Sequence, residues 1–478
     1  MSGSLPTAIL VAAVVSAGYL FWKSAARSNN VPAGPRRWPL IGSVLEIPQT
    51  YQWLTFSKWA KTYGSIVYAD VLGQPFIIIN SAKVANELLD KRSSIYSNRP
   101  NLTMATLVGS TNSFGLQSYN ENWRQQRKIV AQDFSPSAVR RYCSLQETEA
   151  RKLVHGLLDD PSTLANQTQL RIGAIILRIV YGHSVTDVND SILTAGLAAM
   201  EIFSKATTPG VWAVDVLPIL RHSPSWLPGS GFLRIAKKWR KTVIDATWDP
   251  YLWCKKNLAT GTVLLPNLCA EYLAEADGNL SEDQEDRLAW AAASVMGGGL
   301  DTASQHLFDF DVLPRYGIKS VGSTEGTGGN RQGIAHGLSQ DDIYDGMHLP
   351  KGSLVVPNVW HMLHDPEVFP NPMEFDPDRY QGLDSEMKKV TDISFGFGRR
   401  ACPGRYFAEG TLFAVISTLL ATCEILPTRD VEGNAVLPNI SYTSGTVTFP
   451  APFACDIKCR SQKALDLLIH GYTDDEAL

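Results

Sequence analysis

One cysteine stands among residues that suit a reactive or metal-ligating thiolate. The stretch Phe395-Gly396-Phe397-Gly398-Arg399-Arg400-Ala401-Cys402-Pro403-Gly404-Arg405 crowds glycines, arginines and a proline around Cys402. That is the composition of a tight loop that aims a thiol rather than packing it. Arg399, Arg400 and Arg405 can supply positive potential, and Gly404 running into Arg405-Tyr406-Phe407-Ala408-Glu409 reads as a loop entering a helix whose first amides also favour an anion. Such a cysteine can be a nucleophile, a structural zinc ligand or an axial ligand of heme iron. Zinc needs further Cys or His ligands nearby and none lies in this loop. A thiolate hydrolase needs a His base, and the neighbouring sequence offers none.

Other residues could act with it. Trp123 and Arg127, four apart in Trp123-Arg124-Gln125-Gln126-Arg127-Lys128, share one helix face. Ser281-Glu282-Asp283-Gln284 predicts a helix start, and a long helix then runs from Leu288 through Gly297-Gly298-Gly299-Leu300-Asp301-Thr302. Three successive glycines inside a helix cost about 1 kcal/mol each relative to alanine, so the loosened backbone is expected to make room for something. His361 and His364 could pair on a metal, but no third ligand is in view. Cys455 and Cys459, four apart without a nearby His, read as two ordinary thiols.

The elements around these groups are mostly helical. Pro136 to Asn279 has helical patterning broken at Pro209, Pro218, Ser223-Pro224 and Pro228-Gly229. Trp212, Trp226, Leu227 and Phe232 make that region's loops apolar, fitting either a membrane contact or plain core. Tyr63 to Ile79 predicts two strands around a Gly73-Gln74-Pro75 turn, with Ser81 capping a helix through Leu89, and Asp341 to Gly352 predicts a short hairpin.

Of the 478 residues 44% are hydrophobic and 19% charged, enough to bury a large core; length alone suggests two or three domains, but no linker interrupts the chain after residue 43. A net charge of -4 and a pI near 6.2 give no electrostatic case for nucleic-acid binding. Seven scattered cysteines show no disulfide-framework spacing and fit a reducing compartment. Leu5 to Trp22 is apolar apart from Thr7, Ser16 and Tyr19 and is long enough to span a bilayer. Lys23, Arg27, Arg36 and Arg37 follow it, which predicts a retained single-pass anchor over 1–30 with the bulk of the protein on the cytosolic side. Val31 to Pro39 is stiff and non-helical.

The order Phe395-x-x-Gly398-x-Arg400-x-Cys402-x-Gly404 resembles the heme-binding loop of the cytochrome P450 family. The resemblance implies one mainly α-helical catalytic domain over 44–478, with a smaller β-region, behind an N-terminal transmembrane helix. It implies heme b with Cys402 as the proximal ligand to iron, the loop glycines passing under the porphyrin, and Arg400 on a propionate. Trp123 and Arg127 resemble the pair on helix C that bonds a propionate, and His336 occupies a place where many members do the same. Gly298 to Thr302 resembles the oxygen-binding groove of helix I, which gives Asp301 and Thr302 the proton-relay roles. The partners implied are an NADPH-dependent flavoprotein reductase, the endoplasmic reticulum membrane and an apolar small molecule. The C-terminal half is similar to fungal microsomal members of the O-methylsterigmatocystin oxidoreductase type, which oxidise secondary metabolites.

One stretch departs from the pattern. The family's helix K carries Glu-x-x-Arg, and none occurs between Thr302 and Cys402. Lys319 to Asn330 is instead a Gly/Ser/Thr-rich run without helical period. Phe375-Asp376-Pro377-Asp378-Arg379-Tyr380 is similar to the meander whose arginine pairs with that glutamate. A buried pair losing one partner costs about 3 to 5 kcal/mol. The expectation is a deletion or mis-splice over 303–332, with a catalytically impaired heme-binding relic as the alternative.

Overall fold

The computed structural model of this chain describes residues 30–208, 210–224, 226, 228–309, 333–373, 379, 384–436 and 453–470, with Ser16 and Gly18; over 301–309 only the helical backbone is described. Apart from Ser16, Gly18 and residue 30, the expected anchor over 1–30 lies outside these residues, as do 310–332 of the expected 303–332 deletion, Leu227 and most of the meander; α-helical backbone continues to Asp309. Among the described residues no helix is long and apolar enough to cross a membrane.

Helices dominate, as the periodicity predicts. The principal ones are α1 (Gln52–Tyr63), α2 (Thr103–Val108), α3 (Glu121–Phe134), α4 (Cys143–Asp159), α5 (Leu164–Tyr181), α6 (Ser191–Thr207), α7 (Gly231–Ala259), α8 (Leu268–Glu275), α9 (Glu282–Asp309), α10 (Asp384–Ser394), α11 (Arg405–Thr422) and α12 (Gln462–His470). The chain's central element is α9, which packs against α3, α5, α6, α7 and α11. Its start is a capping box: the Gln284 amide N–H donates to Ser281 Oγ, and the Ser281 amide N–H donates to Gln284 Oε1 at 2.9 Å. The main core gathers Ile175, Ile176, Ile179 and Val180 of α5 with Ala289, Ala292, Met296 and Leu300 of α9, all buried.

The glycines of α9 have two different reasons. A methyl on Gly297 would meet Met200 Sδ at 2.4 Å, and one on Gly299 would meet Ile176 Cδ1 at 2.4 Å, whereas at Gly298 nothing lies within 4 Å. Two of the three therefore admit neighbouring side chains. Only Gly298 borders open space.

The β-region holds a four-stranded sheet in the order β1 (Ile66–Val71), β2 (Gln74–Ile79), β6 (Leu354–Pro357), β3 (His336–Gly337). β4 (Asp342–Tyr344) and β5 (Met347–Leu349) form the expected hairpin through Asp345-Gly346, both at positive φ as a two-residue turn requires. β8 (Thr428–Arg429) pairs with β9 (Ala435–Val436), and β7 (Cys423–Leu426) with β10 (Asp456–Cys459). The β1–β2 turn is Leu72-Gly73 rather than Gly-Gln-Pro, so Gln74 and Pro75 already pair with Val71 and Asp70. Pro75 is tolerated because β6 joins β2 only from Phe76. The helix after Ser81 also differs: it breaks at Ala85 into a π-helical segment over Asn86–Lys91, and the Ser81 side chain makes no cap. Residues 31–43 are fastened to β1: the Tyr68 amide donates to the Ala33 carbonyl at 3.1 Å, and the Leu72 amide to that of Ile41 at 3.2 Å.

Candidate functional site

The Cys402 loop leads into α11, with Gly404 at the N-cap. The Cys402 amide donates to the Phe395 carbonyl at 2.8 Å and so closes the loop on its own first residue. Gly396 and Gly398 both adopt positive φ, which glycine reaches without strain. A methyl on Gly398 would lie 2.2 Å from the Leu89 carbonyl oxygen, so this glycine packs the loop against the π-helical segment. That contact gives the glycine a reason within the protein, distinct from the approach to a porphyrin that the motif implies.

Cys402 is exposed, yet enough protein surrounds it that desolvation pushes the thiol's pKa up; the Gly404 amide and the Arg127 guanidinium pull it back. Of the arginines expected to supply positive potential, Arg405 is drawn off into ion pairs with Asp392 at 2.7 Å and Glu409 at 3.1 Å. Arg399 donates to the Tyr119 hydroxyl at 2.9 Å. Arg127, from α3, takes the place beside Cys402 and donates to the Ala401 carbonyl at 3.0 Å.

Arg400 turns away from solvent and donates to three carbonyls, of Ser97 at 2.7 Å, Phe114 at 3.0 Å and Gln117 at 2.6 Å. Burial first, and then repulsion from Arg127, bring its pKa down to about 9. Trp123 Nε1–H donates to the Phe114 carbonyl at 3.1 Å, because the indole is buried against that segment and needs an acceptor there. His336 is buried in β3, and its Nδ1–H donates to the Tyr96 carbonyl at 2.8 Å. Burial, reinforced by Arg99 and Arg400, pushes its pKa down to about 3, so the imidazole is neutral near pH 7.

Arg99 is the residue the sequence reading missed. Its guanidinium donates to the carbonyls of Gly115 at 2.9 Å, Ile334 at 2.8 Å and Ala335 at 2.9 Å, which ties the segment before α2 to β3. Burial, Arg400 and Arg127 all depress its pKa. No periodicity marks it in Ser97-Asn98-Arg99-Pro100. Among the described residues, Arg99, Arg127 and Arg400 form no ion pair with a carboxylate. Three cations that repel one another are thus held by carbonyls and by aromatic faces, Arg127 over Phe114 and Trp123 and Arg400 over Trp123, an arrangement that attracts an anionic ligand.

The remaining expected residues fall elsewhere. Asp301 and Thr302 lie on α9, past Gly298, and their side chains are outside the described residues. His364 Nδ1–H donates to the Trp360 carbonyl at 2.6 Å, and no group of three or more metal-ligating residues occurs among the described residues. Arg379 donates to the carbonyls of Pro370 and Asn371. Trp212 and Phe232 pack against a buried cluster of Met104, Ile202, Val243 and Trp290, whereas Trp226 is 79% exposed.

The family profile described as "Cytochrome P450" matches residues 32–308 and 331–449. Over 479 residues the chain is 44% identical to Cytochrome P450 monooxygenase 105 of Postia placenta, covering 93% of this chain and 92% of that protein. It is 45% identical over 482 residues to Cytochrome P450 monooxygenase 45 of the same fungus, covering 94% and 91%. Cytochrome P450 monooxygenase claR of Ampulloclitocybe clavipes is 33% identical over 488 residues, covering 94% and 90%. Matches of this extent do not favour a decayed relic. With the family profile matched on both sides of 309–330 and the thiolate loop inside the matched part, the chain belongs to the cytochrome P450 family, the heme-dependent monooxygenases.

Proposed function

We propose that this chain inserts one oxygen atom from dioxygen into an apolar small molecule of fungal secondary metabolism, using heme b held by Cys402. The observation that carries the reading is the charge of the site: Arg99, Arg127 and Arg400 are gathered near Cys402, and among the described residues Arg99 and Arg400 donate to carbonyls rather than to carboxylates. A heme fits this set, because its two propionates bring the anions that the arginines lack and its iron takes the thiolate. Gly298, in the stretch that resembles the oxygen-binding groove, borders open space. When bound, a thiolate-ligated heme supplies activation of dioxygen.

The chain's own residues do the rest. Arg127 and the Gly404 amide favour the Cys402 thiolate over the thiol. Trp123 and His336 would stand beside the arginines that hold the propionates, and the Asp301 carboxyl and Thr302 hydroxyl would relay protons. Phe395 and Gly398 hold the loop in register. Electrons come from NADPH through the flavins of a reductase; exposed Arg124, Lys128 and Arg399, on α3 and the Cys402 loop, offer an acidic partner a cationic face. Residues 1–30 anchor the chain in the endoplasmic reticulum with 44–478 cytosolic, 31–43 sets the domain's angle to the bilayer, and 303–332 replaces the segment that carries helix K in relatives.

The test is the visible spectrum of the chain in membranes, reduced and exposed to carbon monoxide. A red-shifted Soret band that Cys402→Ser abolishes is the expected result. Protein present without that band would overturn the proposal and direct attention to the transcript across 303–332.

A further inference from the structure

β7 follows directly on α11, and β10 leads into α12, so this two-stranded ribbon joins the helix that carries the Cys402 loop to the last helix described. Their register sets Cys423 directly opposite Cys459. The next pair along, Thr422 with Arg460, is hydrogen-bonded, its Arg460 amide donating to the Thr422 carbonyl at 2.9 Å. In an antiparallel ladder the two kinds of pair alternate, so Cys423 and Cys459 occupy a non-hydrogen-bonded pair. There the Cα atoms stand about 4.5 Å apart with side chains on the same face, inside the roughly 4.4–6.8 Å that a disulfide spans. Both side chains point to the face of Ile425 and Ile457, which are buried in one cluster with Leu153, Val415 and Leu468.

We propose that Cys423 and Cys459 form a dithiol oxidation site that closes into a cross-strand disulfide. The two thiols differ in access: Cys423 is fully buried, whereas Cys459 is partly exposed and donates to the Ser461 carbonyl at 3.2 Å. Burial pushes the Cys423 thiol's pKa up, so oxidation enters at Cys459. With oxidised glutathione as the oxidant, the Cys459 thiolate attacks one glutathione sulfur and releases one glutathione thiolate. The Cys423 thiolate then attacks the Cys459 sulfur, forming the protein disulfide and releasing the second glutathione. The protein gives up two electrons and two protons, which oxidised glutathione takes. Cys455 does not compete. It lies four residues from Cys459 along the same segment, about 13 Å at strand rise, and is opposite neither partner. The bond would hold β10 against the end of α11 whether or not the site at the other end of that helix is loaded.

The experiment equilibrates the full chain in buffers of increasing oxidised-to-reduced glutathione ratio, quenches with an alkylating reagent and maps the peptides by mass. The expected result is joint loss of alkylation at Cys423 and Cys459, with one cross-linked peptide lighter by two hydrogens. Cys455→Ser should keep that link, and Cys423→Ser should leave Cys459 carrying a stable glutathione. A Cys459 that holds glutathione in the wild type while Cys423 stays alkylatable, or that bridges to Cys455, would overturn the proposal. Wild type and Cys455→Ser suffice to decide if Cys423→Ser does not fold.

Discussion

Arg400 shows how this site spends a charge on architecture. Its guanidinium satisfies three carbonyls, one from the segment before α2 and two from the segment between α2 and α3, a geometry that needs a planar fork rather than a point charge. Arg400→Lys keeps the charge but leaves buried carbonyls without donors, and is expected to cost about 1–3 kcal/mol in denaturant unfolding. Arg399→Lys, at the surface where the side chain meets the Tyr119 hydroxyl and ring, should change stability by less than about 0.5 kcal/mol. A second prediction concerns His336. Its pKa is depressed to about 3 in the folded chain against about 6.5 when unfolded, so between those values the unfolded state binds the extra proton. The stability it contributes is complete above about pH 6.5 and falls by up to about 1.4 kcal/mol per unit as pH drops below that. Asp133 and Asp215, each raised to about 6, act in the opposite sense, losing stability as pH rises from about 4 to 6. The measurement is therefore the difference between wild type and His336→Asn in unfolding free energy from pH 7.5 to 5. It should shrink on acidification, and a constant difference would sink the idea.

Elements show where composition is an adequate guide and where packing decides. The start of α9 at Ser281 to Gln284 and the short hairpin within Asp341 to Gly352 were legible, because each is written in residues close together in the chain. The split of the helix after Ser81 was not, since nothing local distinguishes Ala85 from Asn86; the π-helical segment beyond it carries Leu89 and Asp90, which meet the Cys402 loop. The glycines of α9 lie between these cases. Their cost was legible and their individual reasons were not, because Met200 and Ile176 come from other helices. Alanine at each position separates the reasons. Gly298→Ala, with nothing in its way, should stabilise the helix by about 0.5–1 kcal/mol. Gly299→Ala, facing the branched Ile176, should destabilise by about 1–3 kcal/mol, and Gly297→Ala, facing the flexible end of Met200, should fall between them. Thermal unfolding of the three variants reads the order, and equal shifts would mean the glycines share one role.

At the scale of the molecule, the family and its thiolate loop were readable because five fixed residues in ten need no tertiary context, while Arg99 was invisible because only the folded chain brings Gly115, Ile334 and Ala335 to it. The apolar stretch from the end of α6 to the start of α7 needed the structure in the same way: Trp212 and Phe232, the latter in the first turn of α7, are partly buried and Trp226 is outside, with Leu227 beyond the described residues. Trp226 has company. Ile219 is 73% exposed, and Leu217 and Val211 are both 53% exposed, all within one connection between two helices. Scattered exposed apolar residues are ordinary, but several on one short stretch match a surface that dips into a bilayer interface. If so, membrane affinity has two sources, this surface and the sequence before residue 30. Removing residues 1–29 should then weaken vesicle binding without ending it. Ile219→Ser with Trp226→Ser in that shortened chain should release the protein to the supernatant in vesicle co-sedimentation, while leaving its unfolding midpoint within about 1 °C, since neither side chain is packed. Full release on shortening alone would assign all of the affinity to the N-terminal stretch, and the exposed residues would then need another partner.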